Sequence, residues 1–281
     1  IAHIPLLKTI LLQQQNTQQG INTELAEILQ AITNNSIAPH KFVNYMYSAF
    51  KSWLNRGEQT DIVELWNIMV DKISQELGTP TPTQIFSTKP EEAWFEHTKK
   101  ITCSWTDATH GLLINQVHCK KCNKLYHNFE LFTILTLTPE PELSASLNTF
   151  FAEEHIPGWK CDFCQDTNSG WKAVRIWKMP EVLVIALKRF DNQFRKINTV
   201  VQNINTVSFK PWIISSDKNK NKVFQLQAIG DHYGDIQGGH YVAVVKEAPT
   251  AGAWKVIDDL QSHSFDSTKV CSQFNYLLFY C

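Results

Sequence analysis

Two cysteine pairs of identical spacing, Cys119-Lys120-Lys121-Cys122 and Cys161-Asp162-Phe163-Cys164, are the residues with the most specific chemistry in this sequence. Thiolates three positions apart on a tight knuckle can face one cation, and two such knuckles complete a tetrahedral site, so the pattern predicts a structural Zn2+. Disulfides and a redox CxxC are the other uses of these residue types; the duplicated pairing and the lack of a secretory signal favour the metal. Four protein ligands leave no open coordination position. The expected role is therefore to hold up a small, poorly cored β subdomain rather than to perform chemistry. Cys103, Cys271 and Cys281 remain, and read as small buried hydrophobes.

A second constellation lies toward the C-terminus. His240 follows the pair Gly238-Gly239 at the start of an apolar strand pattern, and a second strand pattern, Trp254 onward, ends in Asp258 and Asp259. Glycines let the backbone come close to a substrate, and a strand fixes the direction of the imidazole. If the two strands are neighbours, Asp258 can accept a hydrogen bond from His240 and orient it as a general base. By itself such a pair is more often structural than catalytic.

Composition sets the frame for both sites. The 281 residues are 43% hydrophobic and 11% aromatic, enough for real cores, and the net charge of −1 argues against a broad nucleic-acid-binding surface. Lys120, Lys121 and Lys124 near the knuckles motivate a zinc-ribbon scaffold or RNA-binding module, but short lysine clusters are usually solvated surface. No apolar run is long enough to span a bilayer, so no membrane association is expected; an intracellular protein, in cytoplasm or nucleus, is.

Hydrophobic periodicity divides the chain. Leu25, Ile28, Leu29 and Ile32 after an Asn22-Thr23 cap, then Val43 through Leu54 after Pro39, then Ile62 through Leu77 capped by Asp61 with Glu64, predict helices. The proline-bearing stretch 78–90 reads as a boundary loop, and residues 13–19 and 217–222 as polar surface loops. Beyond it, 132–137, 173–177, 182–190, 223–229, 240–246, 254–258 and 276–280 read as strands. The expected class is α+β.

The order of these segments resembles the ubiquitin-specific protease family. Met179-Pro180 through Leu187-Lys188-Arg189-Phe190 is similar to the family's "Leu-Pro … Leu-Lys-Arg-Phe" strand, and Gly239-His240-Tyr241-Val242-Ala243 to its histidine box. Trp254 through Asp258-Asp259 resembles "Trp-x-x-Phe-Asp-Asp" with Ile257 in place of Phe. Gln59-Thr60-Asp61-Ile62-Val63-Glu64-Leu65 resembles a helix-opening motif, and Tyr276 through Tyr280 the closing strand. The resemblance implies a papain-like cysteine peptidase shaped as a hand: a helical thumb over 1–95, a lead-in to the palm over 96–110, zinc-tipped fingers over 111–180 and a β palm over 181–281. It implies hydrolysis after the C-terminal glycine of ubiquitin, with His240 as general base, Asp258 as its partner, Asp259 as a polar helper, and substrate contacts at Gly238, Gly239 and Tyr241. Ubiquitin or ubiquitinated proteins would be the partners of a monomeric domain within a larger protein.

The family's nucleophilic cysteine lies in an N-terminal box, and Ile1-Ala2-His3-Ile4-Pro5-Leu6-Leu7-Lys8 resembles the segment that follows that box. The expectation is that the thiol, and the asparagine that would serve its oxyanion hole, lie upstream of Ile1, and that the 281 residues alone are inert. A ubiquitin-binding pseudoenzyme is the alternative. Cys103 is an unsuitable substitute because 101–105 reads as a strand rather than as a helix start, and Cys271 is better explained by core packing.

Overall fold

The computed structural model describes residues 1–13, 20–33, 40–82, 85–98, 101–215, 217–247 and 252–281. Residues 14–19, expected as a loop, and Pro39, expected to open a helix, lie outside them. No helix among the described residues is long and apolar enough to cross a membrane.

Helices come first. α1 (Pro5–Gln13), α2 (Ile21–Thr33), α3 (His40–Ala49) and α4 (Ile62–Leu77) turn one apolar face each inward, and Leu7, Leu11, Leu25, Leu29, Met46, Trp66, Val70 and Ile73 meet in one core. The expected starts and stops shift in instructive ways. α2 begins at Ile21, so Asn22 does not cap it; the Glu76 carboxylate of α4 does, accepting from Ile21 N and Asn22 N at 3.1 Å each and from the Tyr45 hydroxyl at 3.2 Å. α3 stops at Ala49, and Phe50 to Leu54 continue only as turns. Asp61 caps α4 as expected, through Val63 N and Glu64 N. The reciprocal capping box forms instead at α5 (Lys89–His97), between Thr88 and Glu91; Pro90 is thus in a first helical turn, where its missing N–H is harmless, rather than in the boundary loop. Ahead of α5, β1 (Thr79–Pro80) pairs with β2 (Ile101–Thr102), and α6 (Ser104–Thr109) follows.

The small sheet is antiparallel. β3 (Gly111–Cys119) and β4 (Leu125–Phe132) form a hairpin. After β5 (Leu135–Leu137) and α7 (Leu143–Phe151) come β6 (Glu154–His155) and β7 (Gly170–Lys178), giving the order β4-β3-β7-β6. The expected strand 132–137 is therefore split: Phe132 ends β4, while β5 joins the large sheet beside β8 (Leu183–Leu187) as its parallel pair.

That large sheet is completed by β9 (Thr206–Ser208), β10 (Val223–Gly234), β11 (Gly239–Lys246), β12 (Trp254–Asp258), β13 (Gln261–Phe265) and β14 (Asn275–Tyr280), in the order β13-β12-β11-β10-β14-β8-β5 with β9 on β10. β8 and β14 are its shared wall. Leu183, Ile185, Leu187, Leu278 and Tyr280 enter the core under the sheet with Leu143, Leu147 and Phe151 of α7, whereas Val184, Ala186 and Leu277 enter the helical core. A strand buried on both faces reads as an unbroken apolar run, as 182–187 does.

The Glu76 cap joins two helices distant in sequence. Glu76→Ala is expected to lower the unfolding free energy by about 1–2 kcal/mol, the usual worth of a helix cap, with Glu76→Gln losing less. Equal losses in urea unfolding would show that the cap bonds do not matter.

Candidate active site and thiolate cluster

The β10–β11 hairpin fixes the histidine. Tyr233 pairs with His240 and Gly234 with Gly239, leaving a loop of Asp235 to Gly238 in which Asp235 N donates to Gly238 O at 3.0 Å. Gly234 has φ +124°, and a Cβ there would meet Gly238 O at 2.4 Å, so only glycine fits. Lys196 donates to the carbonyls of His232 and Gly234 at 2.9 and 2.8 Å and pins the end of β10.

β11 pairs with β12 in a register, Ala243 opposite Ile257, that brings Asp258 to His240: Nε2 and Oδ1 are 2.6 Å apart. This leaves Nδ1 as the nitrogen open to a reacting group. Both side chains are about half exposed, 47% and 46%. The Asp258 hydrogen bond and, behind it, the charges of Asp258 and Asp259 hold the His240 pKa above its ordinary value against a smaller desolvation effect. Asp259 opens the turn to β13 at φ +49°, a left-handed conformation that aspartate tolerates, and one of its oxygens lies within 4.8 Å of both partners. The structure brings His240, Asp258 and Asp259 together.

Beside them runs a seam between α4 and the large sheet. Gln59 spans it, accepting from Gly239 N at 2.8 Å and donating to Gly239 O at 3.0 Å. Asp61 also spans it: one carboxylate oxygen caps α4 and the other accepts from the Tyr276 hydroxyl at 2.6 Å. Burial, reinforced by Asp61, pushes Tyr241 up to about 12 and Tyr276 upward as well, so both stay phenolic. A cleft of about 280 Å³ opens along Gln59, Asp61, Phe190, His232, Gly238 and Tyr241. A second, about 370 Å³, continues past Asp61 and Phe190 to Glu64, Lys188 and Tyr276. Gly238, Gly239 and Tyr241 line the first; His240 and Asp258 are not part of its lining.

Several contributors were not assigned a site role from sequence. In the sequence Gln59 and Asp61 mark only a helix opening, and nothing in the spacing marks His232. Arg189, 1% exposed, donates to the carbonyls of Asn275, Ile197 and Ser272 and fastens the segment after β8 to the start of β14. Burial lowers its pKa to about 10, partly offset by Asp231. An arginine closing an apolar strand was the available signal.

In the small sheet the two knuckles repeat one geometry. Asn123 N donates to Cys119 O and Gln165 N to Cys161 O, each at 2.8 Å, and Asn123 and Gln165 take left-handed φ of 57° and 60°. Cys119 and Cys164 sulfurs are 3.6 Å apart, as are those of Cys122 and Cys161, and all four lie within 4.8 Å. A disulfide needs about 2.05 Å, and a tetrahedral ion with bonds near 2.3 Å needs sulfurs about 3.8 Å apart, so the cluster can hold a metal ion. The nearby lysines are engaged: Lys121 bridges to Asp166 at 3.0 Å, Lys120 to Glu153 at 3.1 Å, and Lys124 lies over the Phe163 ring.

The remaining cysteines have other occupations. Cys103 corrects an expectation: only Ile101–Thr102 is strand, and the Cys103 sulfur caps α6 by accepting from Thr106 N, while Trp105 is fully buried and donates to Val70 O. Cys271 packs on the large-sheet core, and Cys281 packs on the helical core while exchanging backbone bonds with Gln225.

The raised His240 pKa gives a pH test. Its pairing with Asp258 contributes stability fully below the unfolded-state pKa of about 6.5 and loses it as pH rises through the higher folded value. In an NMR titration of the full-length protein, Asp258→Asn should bring the His240 pKa down toward about 6.5; an unchanged value would show that Asp258 does not set it.

Sequence and structure comparisons agree with one another. The family model for ubiquitin carboxyl-terminal hydrolase matches residues 1–280. Ubiquitin carboxyl-terminal hydrolase 8 of Saccharomyces cerevisiae is 25% identical over 280 residues, covering 93% of this chain and 57% of the yeast protein. Ubiquitin carboxyl-terminal hydrolase 19 of Arabidopsis thaliana is 31% identical over 180 residues, covering 60% of this chain and 26% of the plant protein. The chain thus spans little more than half, or less, of these relatives. Ubp8 in a structure of the SAGA Ubp8/Sgf11/Sus1/Sgf73 DUB module superimposes with a TM-score of 0.78 at 22% identity, over 99% of this chain and 64% of that one. In a SAGA DUB module bound to monoubiquitin the TM-score is 0.74 at 19% identity, again over 99% of this chain and 64% of that one. With the family model matched over nearly its whole length, the chain belongs to the ubiquitin carboxyl-terminal hydrolases, as a catalytic domain of the ubiquitin-specific protease type.

Proposed function

We propose that this domain hydrolyses isopeptide and peptide bonds after the C-terminal glycine of ubiquitin. The observation that carries the reading is His240, oriented by Asp258 at 2.6 Å, adjoining Gly239, which the Gln59 clamp fixes in the wall of the seam. In this reading α1–α4 form a thumb, the small sheet forms the fingers, and the large sheet with β5 and α7 forms the palm. The seam between thumb and palm takes the extended ubiquitin tail, with Gly238, Gly239 and Tyr241 as its wall. Relatives of this fold include a module bound to monoubiquitin.

His240 Nδ1 takes the proton of a cysteine thiol, and the thiolate adds to the carbonyl carbon of the terminal glycine. The tetrahedral oxyanion collapses as His240 returns the proton to the leaving amine, giving a thioester. Water then attacks, again deprotonated by His240, and releases ubiquitin and the free thiol. Asp258 stabilises the imidazolium in both halves, and Asp259 adds negative charge behind it. The thiol is assigned to a cysteine outside these 281 residues, since each of the seven present has another occupation. The same observation favours, as the second reading, a ubiquitin-binding protein without turnover.

Zn2+ is the ion assigned to Cys119, Cys122, Cys161 and Cys164, where it would supply structural cross-linking and no chemistry. Reduced cysteines holding such an ion suit an intracellular setting.

The full-length protein should form a covalent adduct with ubiquitin bearing a thiol-reactive C-terminus, and His240→Ala should cut turnover of a ubiquitin C-terminal amide by about 10²- to 10⁴-fold. Ubiquitin binding with neither adduct nor turnover would select the second reading; no binding at all would defeat both. Elemental analysis should find one zinc per chain, and Cys161→Ser should lose it and lower the melting temperature. A zinc-free protein of unchanged stability would refute the metal assignment.

A further inference from the structure

The seam proposed for the ubiquitin tail follows one edge of the large sheet. Its far end is lined by Lys188 and Arg189 beyond β8 and by Tyr276 of β14, its near end by His232 of β10 and Gly239 of β11. In the sheet these strands stand in the order β8-β14-β10-β11-β12-β13. Each is antiparallel to the next, so the end of β12 and the start of β13 share the same edge. A chain led along that edge passes His240 and next meets the β12–β13 turn.

The turn is two residues long, because Asp258 pairs with Gln261. Asp259 takes the left-handed φ of +49° and keeps a carboxylate oxygen within 4.8 Å of the polar atoms of His240 and Asp258. Leu260, at the second position, is 97% exposed. Nothing in the hairpin calls for a leucine there: Gly, Asn and Asp favour such positions, and Gln261 to Ser264 after it are polar and exposed. Single exposed leucines are ordinary on protein surfaces. This one carries weight through its place, next to Asp259 and on the side of His240 away from the cleft.

The reaction supplies the occupant of that side. An isopeptide bond has an acyl half, the terminal glycine of ubiquitin in the cleft, and an amine half, a lysine of another chain to which His240 returns the proton. The lysine stem is only four carbons long, so the backbone that carries it has to pass close beyond His240, over the turn. Resting on the proposed hydrolysis at the C-terminus of ubiquitin, we propose that Leu260 is a specificity residue for the amine half of the bond, packing against an apolar side chain that flanks the modified lysine in the acceptor protein. The selection acts on the chain being released and is separate from the grip on ubiquitin.

Three substrates of the full-length protein separate the two halves: ubiquitin joined to the ε-amine of a single lysine, and ubiquitin joined to the lysine of a short peptide with either leucine or serine on both flanks. The parent should prefer the leucine-flanked over the serine-flanked peptide by about five- to tenfold in kcat/KM, as one partly buried leucine contact provides. Leu260→Ser should abolish that preference and Leu260→Met keep most of it, while both cleave the single-lysine substrate within about twofold of the parent. Because the side chain stands in water, neither substitution should move the melting temperature. A parent without the preference, or a preference that survives Leu260→Ser, overturns the proposal. An equal loss by Leu260→Ser on all three substrates also overturns it, since the turn would then act through the His240–Asp258 pair. If the parent cleaves none of the three, the functional reading fails and takes this one with it; if it cleaves them without these differences, only the role of Leu260 fails.

Discussion

Everything near His240 depends on one peptide unit being held from both sides. The Gln59 amide accepts from Gly239 N and donates to Gly239 O, so a thumb side chain completes the hydrogen bonding of a palm residue as a neighbouring strand would. The approach is possible because residue 239 has no side chain: a Cβ would lie 2.3 Å from both His232 Nε2 and Tyr233 O. Register does the rest. Once Gly239 is fixed opposite Gly234, His240 is fixed opposite Tyr233, and the β11–β12 ladder delivers Asp258 to the imidazole. A slip of one residue would turn every side chain of β11 to the other face and separate the pair.

The clamp needs the helices and the sheet to share a rigid boundary, which β8 and β14 supply. Their residues alternate between two cores, so neither core can repack without moving the other. Where β8 ends, Arg189 donates to the carbonyl of Ile197 in the following segment and to those of Ser272 and Asn275 at the start of β14, which a lysine's point charge would not do in the same plane. Burying that guanidinium is costly, and the lowered pKa is the sign of it. The cost is offset because removing the guanidinium would leave the carbonyls of Ile197, Ser272 and Asn275 without this donor.

Legibility in the sequence followed the physics of each element. The four-sulfur cluster was readable because both knuckles are local: three residues of spacing and a left-handed residue after each pair determine them. β8, β12 and β14 were readable from apolar character. β13, Gln261–Phe265, was not, because it is an exposed edge strand with no apolar alternation and exists only through its pairing with β12. The cap of α2 is illegible for a related reason: Glu76 lies a whole helix hairpin away, and a cap supplied from another helix leaves no mark beside the helix it serves. Gln59, His232 and Arg189 share that obscurity. Each acts on backbone or ring atoms brought close by tertiary structure, and none has spacing that announces it.

The two sites also differ in what they ask of the fold. In the small sheet, β4 is exposed or half-buried from Leu125 to Leu131, and Cys119 and Cys161 are fully shut from water. Leu112, Leu113, Ile114 and Ile176 bury one end of this sheet, but the end that carries the knuckles has little apolar burial, and a cross-link through four sulfurs is the available substitute there. The His240–Asp258 pair has the opposite problem. His240 and Asp258 are half exposed, so the strength of their bond comes from placement rather than exclusion of water. Placement is what the Gln59 clamp, the Gly234 turn and the shared wall provide. A rigid large sheet and a small sheet carrying a four-sulfur cluster are therefore two answers to one constraint: side chains left open to water cannot be held in place by burial.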